Sequence, residues 1–196
     1  MCSCHVTLKH AEPTRFGPAT AELRHEHEVI LRALAVVERA GERLAAGAPL
    51  DEGALGELVA LVRTFADTCH HGKEEAELFP VLLAKGVGSV LTPFLEEHEE
   101  GRAYVRTLAG PAPAADRAAA ARRYVALLRD HIERENAVLF PMVDEVLTVD
   151  EHTQLVARFA QVEERVVGPG VHEKLLATLD RLEAAIPPAA RAGGAG

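Results

Sequence analysis

Two segments of the chain share the pattern His-x-x-x-Glu-x-x-x-Leu-Phe-Pro, and this repeat constrains the fold more than any other feature. The first occupies residues 70–80 and the second residues 131–141. Residues four positions apart share a face of an α-helix, so each segment places a histidine beside a glutamate. A Glu-His-Glu stretch precedes each segment, at residues 26–28 and 97–99. The order His, His-x-x-x-Glu, His, His-x-x-x-Glu therefore predicts four helices that each carry an ionisable group.

The composition favours helices over strands. Hydrophobic residues make up 48% of the 196 residues and aromatic residues only 4%, with abundant Ala and Leu. Pro80 and Pro141 are expected to kink or end the second and fourth helices. Glycines, prolines and the capping residue Asp51 divide the chain into predicted helices at about 19–46, 52–85, 92–109, 114–147, 150–166 and 171–186.

Long helices joined by short loops predict an all-α fold, an up-down-up-down four-helix bundle with two shorter C-terminal helices. We expect an irregular leader at 1–18, the bundle at 19–147, a C-terminal helical extension of the same domain at 148–186, and a disordered tail at 187–196. No apolar run approaches the roughly 20 residues that span a bilayer. The first residues lack the apolar core of a signal peptide, so we expect a cytoplasmic protein.

Charge and cysteine content exclude several classes of protein. The formal net charge of −9 argues against nucleic acid or an anionic membrane as the main partner. Three cysteines are too few for a disulfide framework. Cys2, Cys4 and His5 form a weak candidate for a separate metal site or redox pair.

Helical periodicity places a histidine in the middle of an apolar face in three of the helices. His25 falls on the opposite side from His27 and should face solvent. Helix two is less regular, because His70 borders its apolar side and His71 lies next to it. The repeat selects His70 over His71. The three apolar faces consist of Leu23, His27, Ile30, Leu31 and Leu34; of Leu91, Phe94, Leu95, His98, Gly101 and Val105; and of Ala120, Tyr124, Leu127, Leu128, His131, Glu135, Val138, Leu139 and Met142.

The predicted interior of the bundle thus holds acids and imidazoles at the same height along the helix axes. Burying an ionised carboxylate is costly unless it is paired or binds a metal. Imidazole with carboxylate suits Fe, Mn or Zn, whereas a polar network without metal is the structural alternative. The candidate ligands are His27, His70, Glu74, His98, His131 and Glu135.

Six ligands from four helices fit two ions better than one. His27 and His70 would bind one ion, and His98 and His131 the other. Two carboxylates can span ions about 3.5–4 Å apart, and Glu74 and Glu135 are placed to do so. This arrangement leaves coordination positions open for an oxo or hydroxo bridge and for a small exogenous ligand.

These motifs resemble the hemerythrin-like HHE cation-binding family over about residues 19–147. The resemblance implies a four-helix bundle with a non-haem di-iron centre bridged by two carboxylates, in proteins that bind dioxygen or nitric oxide, sense oxygen or iron, or decompose peroxide. Oxygen-carrying members have a second His where this chain has Arg102, and an Asp where it has Asn136. A more open site favours redox chemistry or sensing over oxygen carriage.

Several residues are candidates for contacts around the ligands. His71 would be an alternative ligand if helix two is distorted at Gly72, but it is more simply a neighbour of the site, as is Glu75. The others are Arg102, which either pairs with a bridging carboxylate or is a plain surface arginine, Tyr124, Asn136 and His172. A ferritin-like site needs two Glu-x-x-His motifs, and only residues 22–25 provide one.

Three functions share this ligand set. The first is an oxidoreductase that reduces peroxide or a similar small oxidant. The second is a module that senses oxygen, nitric oxide or iron and signals to a protein partner. The third is an iron store or chaperone that holds labile ions.

Overall fold

The computed structural model describes residues 16–166, Gly168 and residues 171–188, without the side chains of residues 171–173. Every regular element in these ranges is a helix, which confirms the predicted all-α class. Cys2, Cys4, His5, the side chain of His172 and the tail beyond residue 188 lie outside the described residues. None of the described helices is both long and apolar enough to cross a bilayer.

Six helices follow the predicted order. Helix α1 covers Pro18–Ala45, so it begins inside the predicted leader, and α3 covers Thr92–Ala109. Helices α5 and α6 cover Val149–Val166 and Val171–Ala185. The two remaining long helices contain π-helical turns. Helix α2 has α-helical segments at Glu52–Val62 and Phe79–Ala84, with π-helical turns between them at Arg63–His71 and Glu74–Leu78. Helix α4 has α-helical segments at Ala114–Arg134 and Phe140–Val146, separated by the π-helical turn Glu135–Leu139.

Local sequence signals set the ends of the first two helices. The carboxylate of Asp51 accepts a hydrogen bond of 2.8 Å from the backbone N–H of Gly53 and caps α2, as predicted. Gly47 after α1 and Gly86 after α2 adopt positive φ angles of 60° and 82°, which other residues rarely adopt.

Neither Pro80 nor Pro141 ends its helix, so of the two predicted effects, a kink or an end, the structure excludes the second. Each proline is the second residue of the α-helical segment that follows a π-helical turn. Proline lacks the N–H that an α-helical ladder needs. The wider π-helical turn changes the hydrogen-bond register before the proline, and the helix continues to Ala84 or Val146.

The four long helices surround one interior, because α1 and α3 each contact both α2 and α4. This interior has two apolar clusters. The first contains Ile30 and Leu128, and the second contains Leu23 and Leu139. Helix α5 adds Leu155 and Phe159 to the second cluster, and α6 adds Leu179 and Leu182 to the first. The predicted ligands therefore lie between two apolar layers.

Three residues assigned to apolar faces lie at their edges instead. Leu31, Leu95 and Val138 are 39%, 41% and 65% exposed. Val138 belongs to the π-helical turn Glu135–Leu139, whose residues do not follow the α-helical angle of about 100° per residue.

Candidate metal centre

The six predicted ligands converge in the interior, and none is more than 1% exposed. Helices α1 and α3 contribute one histidine each, whereas α2 and α4 contribute one histidine and one glutamate each. The side chains are His27, His70, Glu74, His98, His131 and Glu135.

The four histidines form the two pairs that the sequence predicts. The Nε2 atoms of His27 and His70 are 3.0 Å apart, and those of His98 and His131 are 3.1 Å apart. Each pair thus directs two imidazole nitrogens at one point.

Each glutamate contacts one histidine of each pair. The Oε2 atom of Glu135 lies 3.1 Å from His27 Nε2, and its Oε1 atom lies 3.2 Å from His131 Nε2. The Oε1 and Oε2 atoms of Glu74 lie 3.8 Å from His70 Nε2 and 3.5 Å from His98 Nε2. Both carboxylates therefore have the position of a group that spans two sites.

The carboxylate oxygens lack the partners that buried acids require. All four oxygens of Glu74 and Glu135 are buried, and no well-formed hydrogen bond reaches them within the described part of the chain, although Glu135 lies 3.1 and 3.2 Å from two imidazole nitrogens. Buried polar atoms are nearly always paired, and an unpaired carboxylate in an apolar interior is very costly. The donor set and its orphaned oxygens fit cations bound between the imidazoles.

His71 lies in the interior, so the sequence-based alternative of an exposed neighbour is wrong, while its position beside the ligands is as expected. It is 3% exposed, and neither ring nitrogen has a hydrogen-bond partner among the described residues. The π-helical turn Arg63–His71 places more residues in each turn than an α-helix, which brings the consecutive residues His70 and His71 both inside.

Three groups of side chains in the described residues have ligand atoms within 4.8 Å of one another, close enough to share one metal ion. One of them, Glu22, Glu26 and Glu163, surrounds Lys73 outside the site, and the other two lie within it. Glu74 belongs to both groups. The first group is His71, Glu74, His98 and His131, and the second is His27, His70, Glu74 and Glu135.

The glutamate that precedes each of two ligand histidines reaches a histidine on the next helix. Glu26 accepts a hydrogen bond of 2.9 Å from His70 Nδ1, and Glu97 accepts one of 2.8 Å from His131 Nδ1. These bonds keep the proton on Nδ1 and leave Nε2 free to bind a cation.

The remaining two histidines have acceptors of the same kind. His98 Nδ1 donates to Glu75 over 2.7 Å, and His27 Nδ1 lies 3.1 Å from the side-chain oxygen of Asn136. All four outer acceptors contact a positively charged side chain. Their partners are Lys73 for Glu26, Arg102 for Glu75, Arg134 for Glu97 and Arg24 for Asn136.

The acids of the site differ in electrostatic environment. Burial and the charge of Glu135 raise the pKa of Glu74 well above its ordinary value. Burial also opposes ionisation of Glu135, but His131 and His27 outweigh it and hold the pKa of Glu135 well below the usual range. Burial lowers the pKa of His70 to about 4. A cation would replace this balance with direct neutralisation of both acids.

The Leu-Phe-Pro part of each repeat packs against the histidines. The ring of Phe140 stacks on His27 with centroids 5.4 Å apart, and Phe79 stacks on His98 at 6.1 Å. Phe94 meets His131 edge-on at 5.5 Å. These rings fix the imidazole planes and exclude water from the site.

The other candidates have defined positions. Arg102 binds Asp67, Glu75 and Glu99 rather than a bridging carboxylate, and Glu75 in turn accepts a hydrogen bond from His98. Tyr124 is buried in the first apolar cluster. The side chain of His25 is 71% exposed, as predicted.

Comparison with known proteins gives one family and several relatives. The family model for the hemerythrin HHE cation binding domain matches residues 19–143. Uncharacterized protein Rv1995 of Mycobacterium tuberculosis and uncharacterized protein Mb2018 of Mycobacterium bovis are each 30% identical over 168 residues, covering 80% of this chain and 66% of the relative. The chain thus spans slightly less than two thirds of their length. No solved structure matches.

Proposed function

Because the chain belongs to the hemerythrin HHE cation-binding domain family, we propose that it holds two iron ions and reduces a small oxidant such as peroxide. The same open site would also bind dioxygen or nitric oxide without turnover. The ligands would be the six predicted side chains together with His71.

The observation that carries this proposal is the arrangement of the two glutamates. No well-formed hydrogen bond reaches their four oxygens among the described residues, and each carboxylate faces both histidine pairs. A single ion would leave some of these oxygens orphaned, whereas two ions would engage all four.

The chemistry requires electrons and an open coordination position, which a pair of bound iron ions would supply. The net reaction converts two hydrogen peroxide molecules into two water molecules and one dioxygen, so it balances without an external reductant. The chain positions the ligands through the Nδ1 bonds of the histidines. The two apolar clusters above and below the site keep bulk water away.

Redox use is better supported than iron storage. The inner side chains are at most 3% exposed, and four of the imidazoles are held by outer acceptors. Such a preorganised, enclosed site retains ions, whereas labile cargo needs ligands that open to solvent.

A sensing function is the second candidate, and one contact favours it. Lys73, fully buried, binds Glu26 beside His70 and lies 3.5 Å from Glu163 on α5. A change at His70 could therefore reach the C-terminal helices through this lysine.

Peroxide decay measured by stopped flow with the iron-loaded protein tests the proposal. Turnover should exceed that of free iron, should be lost in His131→Ala, and should persist in His25→Ala, whose side chain faces solvent. Iron-loaded protein that is no faster than free iron would refute the enzymatic function. A reversible spectral change with oxygen or nitric oxide alone would then favour the sensor.

A further inference from the structure

A cavity of about 340 Å³ opens between α2 and α3 and reaches the metal centre. His71 and His98 line its inner end, and Val62, Val105 and Tyr124 line its walls. A molecule in this cavity would lie beside side chains that the proposed function assigns to the metal ions. The size and the polarity of the cavity therefore bear on which oxidant the site accepts.

Hydrogen peroxide would leave most of this cavity unfilled. One water molecule takes up about 30 Å³ of the liquid, and hydrogen peroxide is only slightly larger. Binding sites for organic ligands begin at about 300 Å³ and combine mainly apolar walls with a few polar groups. The volume and the valine walls of the cavity therefore fit a molecule with a carbon skeleton.

Gly101 on α3 lines the cavity and sets its width. A Cβ atom at this position would lie 3.4 Å from side-chain carbons of Leu128 and of Tyr124, so the two neighbours leave room for little more than a methyl group there. A longer side chain would take up part of the open space. The identity of residue 101 thus decides how large a molecule can enter.

The charges at the opening of the cavity cancel. Three arginines line the cavity, and three carboxylates bind one of them. The arginines are Arg63, Arg102 and Arg106. The ion pairs of Arg102, of 2.6, 2.8 and 2.7 Å, are with Asp67, Glu75 and Glu99. Because three guanidinium groups match three carboxylates, the opening attracts neither anions nor cations and suits an uncharged molecule.

The hydroxyl of Tyr124 is an uncharged hydrogen-bonding group at this cavity. The side chain is buried, and its hydroxyl forms no hydrogen bond with any residue in the described ranges. Burial and the charge of Asp67 raise the pKa of Tyr124, so the group stays a phenol that can donate its proton to a hydrogen bond. Buried tyrosine hydroxyls usually have a partner, and an oxygen atom of a ligand would supply one.

We propose that this cavity binds an uncharged organic hydroperoxide, with its carbon skeleton against the valine walls and its oxygen atoms towards Tyr124 and His98. The proposal rests on the proposed function, because it names the class of peroxide that the same metal centre would reduce. The O–O bond breaks, and two electrons and two protons convert the hydroperoxide into an alcohol and one water molecule. Two molecules of a thiol reductant supply these electrons and protons and form one disulfide.

Calorimetric titration of the iron-loaded full chain with cumyl alcohol tests binding without turnover, since this alcohol is the reduction product of cumene hydroperoxide. The affinity should not change with salt, because the ligand is uncharged. Gly101→Leu should weaken binding by at least about tenfold, because the leucine side chain takes up ligand space. The matched control is Gly56→Leu, because a Cβ atom at Gly56 would meet nothing within 4 Å.

Tyr124→Phe keeps the shape of the cavity and removes only the hydroxyl. It should weaken cumyl alcohol binding by about fivefold, the effect of one hydrogen bond. Tyr104→Phe is the matched control, since the hydroxyl of Tyr104 binds Glu100 at the surface. This isosteric pair decides the proposal even where Gly101→Leu fails to fold.

Consumption of cumene hydroperoxide and of hydrogen peroxide by the iron-loaded protein, with dithiothreitol as the thiol, measures specificity. The ratio of kcat/KM for cumene hydroperoxide to that for hydrogen peroxide should fall by about tenfold in Gly101→Leu. An unchanged ratio in that variant, or wild-type protein that does not bind cumyl alcohol, would overturn the proposal. Decay of hydrogen peroxide alone refutes this inference, whereas decay of neither peroxide refutes the proposed function. In the latter case titration of the metal-free chain with cumyl alcohol still decides whether the cavity binds the uncharged ligand.

Discussion

The imidazole of His71 lies flat on that of His98, with ring centroids 3.8 Å apart and planes inclined by 12°. Burial, together with the neighbouring imidazole of His98, holds the pKa of His71 well below its ordinary value. His71 is therefore neutral at physiological pH and can offer a nitrogen to a cation. The half of the site with His98 and His131 then has three imidazoles, and the half with His27 and His70 has two.

This inequality predicts that His71→Leu affects the two ions differently. The affinity of one ion should fall by about 10- to 100-fold, while the other ion stays bound. Metal analysis after dialysis against a mild chelator measures the loss, and His25→Ala is the control because its side chain is exposed. Equal retention of both ions by His71→Leu would remove His71 from the ligand set.

Glu74→Gln separates metal binding from folding. Burial and Glu135 raise the pKa of Glu74, so an uncharged amide of the same shape should change the stability of the metal-free protein by less than about 1 kcal/mol. Wild-type protein should gain about 4 kcal/mol when free metal exceeds the dissociation constant a thousandfold, and the variant should lose this gain.

Thermal unfolding with and without iron measures the difference. The exposed Glu28→Gln should behave as wild type. Iron stabilisation of wild-type size in Glu74→Gln would contradict a bridging position for this carboxylate.

The sequence predicted the inner histidines and glutamates because their spacing of four matches an α-helical turn. It assigned His71 to the periphery for the same reason, since the prediction assumed about 100° per residue. The π-helical turn Arg63–His71 follows from packing in the folded bundle, and periodicity alone does not encode it. The sequence suggested a distortion of helix two at Gly72, whereas the π-helical turn begins nine residues earlier, at Arg63.

Of the four outer acceptors, Asn136 and Glu75 were candidates from the sequence, whereas Glu26 and Glu97 were not predicted, although a signal for them was present. Glu26 and Glu97 each precede a ligand histidine, yet each binds the histidine of an adjacent helix, His70 or His131. Such cross-helix contacts depend on the packing angle of two helices, which a single sequence does not give. The recurrence of Glu-His at both positions was the usable signal.

Lys73 supports the site through the buried carboxylate of Glu26. Its Nζ atom lies 2.6 Å from Glu26 and 2.8 Å from Glu22. Lys73→Met would leave a buried acid without its cation and should destabilise the protein by about 3 kcal/mol. Chemical denaturation at neutral pH measures the change, and the exposed Lys174→Met should leave stability unaltered. A loss below about 1 kcal/mol would show that the ion pair is dispensable.

The thiol of Cys69 should be inert in the folded protein. Burial, reinforced by the negative charge of Glu26, raises the pKa of Cys69 to about 12. At pH 8 it should have about a thousandfold less thiolate than a cysteine with a pKa of about 8.5. Because the thiolate is the reactive form, alkylation of Cys69 should accelerate as the pH rises. Mass spectrometry after iodoacetamide treatment of the Cys2→Ser, Cys4→Ser protein measures the rate, and equal rates with and without denaturant would contradict burial.

Two helical glycines provide a matched test of the packing between α1 and α4. A Cβ atom at Gly41 would lie 2.8 Å from Ala121 Cβ, whereas one at Gly56 would meet nothing within 4 Å. Gly56→Ala should stabilise the protein by about 0.5–1 kcal/mol. Gly41→Ala should destabilise it by about 1–2 kcal/mol, because the helices must separate. Stabilisation by both, measured by urea unfolding, would show that the two helices are less closely packed.

The spacing of two cations between Glu74 and Glu135 is the central claim of this account. Anomalous diffraction from crystals of the iron-loaded protein, collected at the iron edge, measures it directly. The account predicts two peaks about 3.5–4 Å apart, one beside His27 and His70 and the other beside His98 and His131. A single peak, or none between the two carboxylates, would contradict it.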